Sequence, residues 1–200
     1  MPPRAKFTRE EIIEAAFGIA RTEGFDKITA RELGKKLQSS ARPIFTVFES
    51  MDEVKTAVID RAKELYGRYI ADALQQELAF KGVGMAYITF AIEEPKLFQL
   101  LFMSAVPGAA GVESILPQID ASYEDILHSV QKYDLSREAA DMIYQHLWTY
   151  THGIATMCAT NLCSYTREQI GERLTQIFTS LMMMEKKGDF KKHDQDRKCT

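Results

Sequence analysis

The segment F-D-K-I-T-A-R-E-L-G-K-K-L-Q-S-S-A-R-P-I-F-T-V-F-E-S-M-D-E-V-K, residues 25–55, decides the fold. Thr29 stands three residues before Glu32, the spacing of a capping box in which hydroxyl and carboxylate satisfy orphan amides at a helix start. Ile28 and Leu33 flank it as a hydrophobic staple. The helix begun there buries Leu33 and Leu37 and turns Arg31, Lys35 and Lys36 outward. Ser39 and Ser40 supply a turn and an N-cap for a further helix over residues 41–48. Pro43 is tolerated there because the first turn has no intrahelical amide bond to lose. Ile44 and Phe48 face inward, which leaves Arg42, Pro43, Phe45, Thr46 and Val47 outward or partly outward. A short helix held on the surface in this way suits a DNA major groove.

The same signals continue on both sides. Phe7, Thr8, Glu11 and Ile12 form an upstream box and staple. Ile12, Ala16 and Ala20, with Ile13 and Phe17 beside them, make one apolar stripe at helical spacing. Gly24 ends that first helix, since glycine accepts the left-handed conformation of a helix C-terminus. Downstream, Ser50 and Glu53 open a long helix over residues 51–78.

Together E-G-F at 23–25, Thr29, Arg31, Leu33, Leu37, Ser40, Ile44, Phe45, Phe48 and the S-x-D-E-V run at 50–54 resemble the TetR/AcrR family of one-component transcriptional repressors. The likeness covers a quarter of the chain. E-E-P-K-L-F-Q-L-L-F at 93–102 and L-W-T-Y-T-H-G-I-A at 147–155 look similar to ligand-binding domains of that family. The resemblance implies an all-α protein: an N-terminal three-helix helix-turn-helix DNA-binding domain and a C-terminal helical domain for ligand binding and dimerisation. It also implies that an effector entering the C-terminal domain alters the separation of two DNA-reading heads. Arg42 and Thr46, with Ala41 and Pro43, are expected at base edges, and Ser40, Phe45 and Lys55 near the phosphates. Arg4 and Lys6 form a flexible basic arm, and Thr29 and Arg31 complete the DNA-contacting set. Four positions depart from the family pattern. Gln38 replaces the usual turn glycine, Phe45 lacks the usual hydroxyl, and Glu49 and Met51 stand where basic residues are common. Non-specific affinity scales with the number of phosphates neutralised, so phosphate anchoring is expected to be weak.

Charge supports this division once it is split. The chain carries net charge −3, but residues 1–50 hold nine Lys/Arg against seven acids, or +2, and the remaining residues hold 16 against 21, or −5. With 46% hydrophobic residues in 200, the chain is long and apolar enough to bury a proper core. No apolar run approaches the roughly 18 residues that span a bilayer, and the N-terminus lacks a signal-peptide core, so a cytoplasmic protein is expected. Cys158, Cys163 and Cys199 are sparse. Cys158 and Cys163, five apart on a helix, should point in different directions, so neither a disulfide nor a metal site is expected.

Beyond residue 54 the pattern is helical throughout. Val54, Val58, Ala62, Leu65, Tyr69 and Leu74 mark the long helix, and K-G-V-G at 81–84 should interrupt the helical pattern after it. Pro95 should break the chain after Glu94. A short helix over 97–103, a loop over 104–112 and a helix over 113–133 come next. Two long helices then run through Ala140, Ile143, Leu147 and Thr151, and from Thr166 with Gln169 as box partner. They are apolar on more than one face, which calls for a second partner. Ile154, Cys158, Ile170, Leu174, Ile177, Phe178 and Leu181 are therefore the expected contacts of a four-helix dimer interface. Phe90, Phe98, Phe102, Tyr123, Tyr144, Trp148 and His152 are the candidate lining of a pocket for a small, mostly apolar effector.

The expected organisation is a DNA-binding domain over 1–50, an effector and dimerisation domain over 51–185, and a disordered tail over 186–200. No phosphate loop, zinc spacing or nucleophile elbow points to an enzyme, and no cofactor is expected. The function expected is a ligand-responsive regulator, most simply a repressor, that binds a pseudo-palindromic operator as a homodimer and involves no membrane. The alternative is a helical adaptor that binds protein without reading DNA.

Overall fold

A computed structural model describes residues 6–75, 79–104, 111–112, 123–131 and 133–188 of the chain. Among them are eight α-helices and no strand: α1 (Arg9–Thr22), α2 (Ala30–Lys36), α3 (Met51–Leu74), α4 (Ala79–Glu93), α5 (Pro95–Phe102), α6 (Tyr123–Gln131), α7 (Arg137–Ala159) and α8 (Arg167–Lys186). Two 3₁₀ turns, Phe25–Lys27 and Ile44–Thr46, lie between α1 and α3. Arg4, the expected loop at 104–112 beyond its first and last residues, most of the expected helix at 113–133, and the tail past Gly188 lie outside the described residues.

Side-chain caps decide where these helices start. At α1 the Glu11 amide donates to the Thr8 hydroxyl at 3.2 Å and the Thr8 amide donates to the Glu11 carboxylate at 2.7 Å. The box is complete, and the Thr8 amide is the main reason the Glu11 carboxyl stays below its usual range. Thr166 and Gln169 build the same pair at α8. The other two boxes close on one side only. Glu32 donates its amide to the Thr29 hydroxyl but turns its carboxylate to Lys35 at 2.7 Å. Glu53 donates to Ser50, while its carboxylate accepts the Glu49 amide at 2.8 Å and Arg9 at 2.7 Å. An available cation or a nearer amide outcompetes the N-cap amide in both places.

The chain packs as two compact units, 1–68 with 90–105 and 69–89 with 106–200. The expected boundary after residue 50 follows the sequence motif. Packing adds the first part of α3 and all of α5 to the N-terminal helices, because Val54 and Val58 are buried with Ile12, Ile19, Ile28, Leu33, Ile44 and Phe48. In this unit Arg61 reaches Glu14 at 2.7 Å, Arg9 reaches Glu53, and Arg21 grips the buried Glu94 with two bonds. Tyr66, Phe90 and Phe102 meet edge to face, and Phe98 packs tilted on Phe102, in an aromatic cluster with centroids from 4.9 to 6.4 Å. In the second unit Ile143, Leu147 and Leu181 make a cluster against which Met142, Ile177 and Phe178 pack.

Several expectations change. The long helix ends at Leu74, and its buried stripe after Ala62 runs through Tyr66, Ile70 and Ala73, with Leu65 and Tyr69 half-buried. K-G-V-G does not interrupt a helix; it lies inside α4. A Cβ on Gly84 would stand 3.1 Å from the Leu174 side chain, so this glycine serves close packing of α4 on α8. The expected helix over 41–48 is a 3₁₀ turn, Ile44–Thr46, held by bonds from Ile44 to Ala41 and from Thr46 to Pro43. Pro43 lacks an amide and disfavours helical geometry at Arg42, which leaves too few residues for an α-helical nucleus.

The end of α2 exposes a local strain. Gln38 amide donates to Lys35 carbonyl at 3.0 Å and Ser39 amide to Gly34 carbonyl at 2.9 Å, the paired bonds of a Schellman ending. That ending forces φ of +50° on Gln38. A left-handed non-glycine residue costs roughly 1–2 kcal/mol, part of which glycine's extra unfolded-state freedom offsets. Gln38→Gly is therefore expected to stabilise the protein by about 0.5–1 kcal/mol, read as a higher urea midpoint at unchanged slope. A lower midpoint would show that Gln38 makes a compensating contact.

Candidate functional site

The turn after α2 folds back so closely that a Cβ on Gly34 would meet the Ser39 carbonyl oxygen at 3.0 Å and the Ala41 amide nitrogen at 3.2 Å. These are backbone atoms and have little room to give. The turn is thereby fixed against α2, and Ile44 and Phe48, both buried, fix its other side. What remains outward is Arg42, Phe45, Thr46 and Glu49, all but Thr46's engaged hydroxyl open to solvent. Phe45 is 47% exposed, high for a large apolar ring. The Thr46 hydroxyl donates to the Pro43 carbonyl at 2.6 Å, so its proton is engaged locally.

The other residues expected at DNA distribute around this turn. Lys6 donates to the Ser39 hydroxyl at 3.0 Å, which brings the N-terminal arm to the turn. Thr29 uses its hydroxyl as the cap of α2, and Ser40 is exposed, with Ala41 and Pro43 half-buried. Arg31 and Arg42 are exposed and have no ion-pair partner among the described residues. Lys55 is half-buried, its ammonium 6.0 Å from the Phe25 ring centre. Several uncommitted cations and one exposed ring can meet a polyanion edge. Glu49 lies exposed on the same short stretch and opposes it.

The seven residues expected at an effector fall into three groups. Phe90, Phe98 and Phe102 belong to the aromatic cluster around Tyr66, and Phe90 and Phe98 are fully buried there. Tyr123 and Tyr144 pair with ring centres 5.6 Å apart, and the Tyr123 hydroxyl donates to Asp141. Burial first, then that carboxylate, pushes the Tyr123 phenol up to about 12. Trp148 stacks on His152 at 4.7 Å and 12°, and the Tyr87 hydroxyl lies 2.9 Å from His152 Nδ1. Burial lowers the His152 pKa, so the ring is neutral at physiological pH. Tyr87 and Asp141 join the candidate set by contact with His152 and Tyr123, and the sequence pattern does not single them out. Tyr87 lies 65 positions from His152, beyond any local pattern, whereas Asp141 is visible as a carboxylate one turn before Gln145 and beside buried Ala140.

The residues expected between subunits are largely spent within the chain. Ile154, Cys158, Ile170, Leu174 and Leu181 are buried in the second unit, and Ile177 and Phe178 are half-buried against Ile143 and Leu147. A side chain already covered offers a partner no surface. The exposed side of α7 instead carries Thr149, Tyr150 and Gly153, and that of α8 carries Glu172, Gln176, Thr179 and Met183. The physical reason lies in the spacing, which marks a buried stripe without saying whether the same chain or another buries it. Among the described residues no helix is long and apolar enough to cross a membrane, and no cluster of three His, Cys, Asp or Glu could hold a metal.

Residues 80–184 match the family model described as tetracyclin repressor-like, C-terminal domain. Among solved structures, the chain is similar to a TetR-like transcriptional regulator from Rhodococcus sp. RHA1, with TM-score 0.60 and 14% identity over 89% of this chain and 96% of that one. A proposed regulator of fatty acid metabolism from Clostridium perfringens gives TM-score 0.61 and 15% identity over 84% and 96%. No curated protein matches the chain by sequence.

The stacked pair offers a direct titration. Trp148 is the sole tryptophan, so its emission reports the charge of His152. The unfolded imidazole titrates near ~6.5 and the folded one lower, so the folded state binds fewer protons in between. Any stability His152 contributes as a neutral ring is present above that pH and declines as pH falls below it. Tryptophan emission of the native chain is expected to titrate with a midpoint below about 6.5, and His152→Gln should abolish that transition. A midpoint above this value would place a cation-stabilising group at the ring.

Proposed function

The chain belongs to the TetR-like family of transcriptional regulators, and we propose that it binds a pseudo-palindromic operator as a homodimer and represses transcription until a small, mostly apolar effector releases it. Residues 1–50 carry DNA recognition and residues 51–185 carry effector binding and dimerisation. The protein acts as a regulator in the cytoplasm and catalyses no reaction.

The observation that carries this reading is the outward edge of Arg42, Phe45 and Thr46 on a turn whose other side, Ile44 and Phe48, is buried. Burial anchors the backbone so that the exposed residues can approach the major groove together. Arg42 supplies two parallel donors for a guanine edge. Phe45 and the Thr46 methyl offer apolar surface where many DNA readers present hydroxyls, so phosphate contacts fall to Lys6, Arg31 and Ser40. A dimer sets two such edges one DNA turn apart, about 34–36 Å, or a multiple of it.

Dimerisation is assigned to the exposed sides of α7 and α8, where Tyr150, Gly153, Thr179 and Met183 remain uncovered in the single chain. For the effector, Trp148 and His152 with Tyr87 offer an aromatic wall and a neutral polar group. Tyr123 and Tyr144 of the same unit serve as orienting groups. A ligand shifts the protein toward the unbound state only by binding that state more tightly.

Two measurements test the proposal. Arg42→Ala is expected to weaken operator binding by about 1–3 kcal/mol at fixed salt, and equal affinities of variant and wild type would remove Arg42 from base recognition. Gly153 has open space where a side chain would go. Gly153→Glu should therefore preserve helicity while converting dimer to monomer in sedimentation. A dimer of undiminished stability would place the subunit interface elsewhere.

A further inference from the structure

The end of α7 brings two thiols together against the expectation from their spacing. α7 stops at the Thr160 cap because Asn161 adopts φ of +57°, with its amide donating to the Cys158 carbonyl at 3.0 Å and the Leu162 amide to the Met157 carbonyl at 2.9 Å. These are again the two bonds of a Schellman ending. The chain reverses, and the Cys163 amide comes to 3.4 Å from the same Met157 carbonyl. The Met157 carbonyl belongs to the peptide that enters Cys158, so the Cys163 backbone sits beside the Cys158 backbone. Both cysteines are free, and after burial itself the nearby Cys163 thiol is the next cause that pushes the Cys158 thiol up. A disulfide needs Cα atoms within about 7 Å and side chains that converge, and the reversal at Asn161 brings the two cysteine backbones toward that range while α7 stays intact to Ala159.

The surroundings divide the roles of the two sulfurs. Cys158 is 9% exposed, while Cys163 is half-buried and reaches solvent. The neighbouring Cys163 is the main reason the Tyr165 phenol is pushed up, and the Arg173 guanidinium lies 4.8 Å from the Tyr165 ring centre. The sulfur that a small oxidant can approach therefore has a phenol nearby, with a cation beside that phenol.

We propose that Cys158 and Cys163 form an oxidisable dithiol that reacts with hydroperoxides and closes to a disulfide across the α7–α8 turn. The Cys163 thiolate attacks one peroxide oxygen and the O–O bond breaks. Cys163 becomes a sulfenic acid, and the leaving oxygen takes up a proton as water or alcohol. The Cys158 sulfur then attacks the Cys163 sulfur and displaces hydroxide, which takes the Cys158 proton as water. Two sulfurs lose one electron each and one peroxide is reduced by two. Burial raises the Cys158 pKa, which keeps it a thiol until the sulfenic acid stands against it. The site is separate from the DNA-reading turn, and the proposal does not depend on operator binding.

The test uses the full chain carrying Cys199→Ser, so that the third thiol takes no part. After treatment with hydrogen peroxide, intact mass should fall by two hydrogens, and peptide mapping should join Cys158 to Cys163. Dithiothreitol should restore the original mass and both alkylatable thiols. Cys163→Ser, at the more exposed position, should lose the cross-link completely while keeping the wild-type circular dichroism spectrum. Addition of two or three oxygens to Cys163 without a cross-link would overturn the proposal. So would persistence of both thiols at peroxide levels that oxidise free cysteine in the same buffer.

Discussion

In the N-terminal unit the arrangement depends on the grip of Arg21 on Glu94. Glu94 is 3% exposed, and the Arg21 Nε donates to its Oε2 at 2.6 Å while Nη2 meets the other oxygen. A carboxylate so buried is tolerable only when both oxygens are bonded. The pair joins the last turn of α1 to the residue at which α4 ends and Pro95 starts α5. Proline supplies the break, and Arg21 fixes where the broken chain attaches. Arg21 remains half in water, so the pair specifies geometry more than it adds stability.

From that attachment the turn after α2 is placed by packing. α1 supplies Ile12, Ile19 and Ala20 to a core that also buries Leu33, Ile44 and Phe48. Gly34 admits the backbone of residues 39–41 against α2, a position at which any side chain would push the turn away. Gln38 carries the cost of the sharp ending. The proposed recognition edge thus lies on a segment that is strained at one residue and tightly anchored on either side. Such anchoring would present Arg42 in one orientation, with the ordering cost met during folding rather than on binding.

One structural device appears once in each unit, with different consequences. α2 and α7 both end in a left-handed non-glycine residue, Gln38 and Asn161. Asn accepts that conformation more readily than Gln, because its short side chain bonds locally. The first ending delivers the reading turn, and the second returns Cys163 to Cys158. α7 and α8 also show why an apolar stripe does not reveal its partner. Leu147 and Leu181 cover one another within the chain. The exposed side then falls to smaller and more polar residues such as Gly153 and Thr179, which permit close helix approach.

Local residue patterns were enough to establish the starts of α1, α2, α3, α7 and α8, the break at Pro95, and the all-α class. Caps, staples and apolar spacing act over three to eight residues, so they are written locally. The family resemblance, rather than those patterns, marked Gln38 as unusual at the turn. Three-dimensional packing was needed to show that the segment after Ser40 is a 3₁₀ turn, that Gly84 serves Leu174, and that Tyr87 meets His152. The same holds for Glu94 with Arg21 and for the two thiols. Each of these depends on which surfaces meet, or on a chain reversal that short-range spacing does not encode. Spacing says which side chains leave water, and packing says what they leave it for.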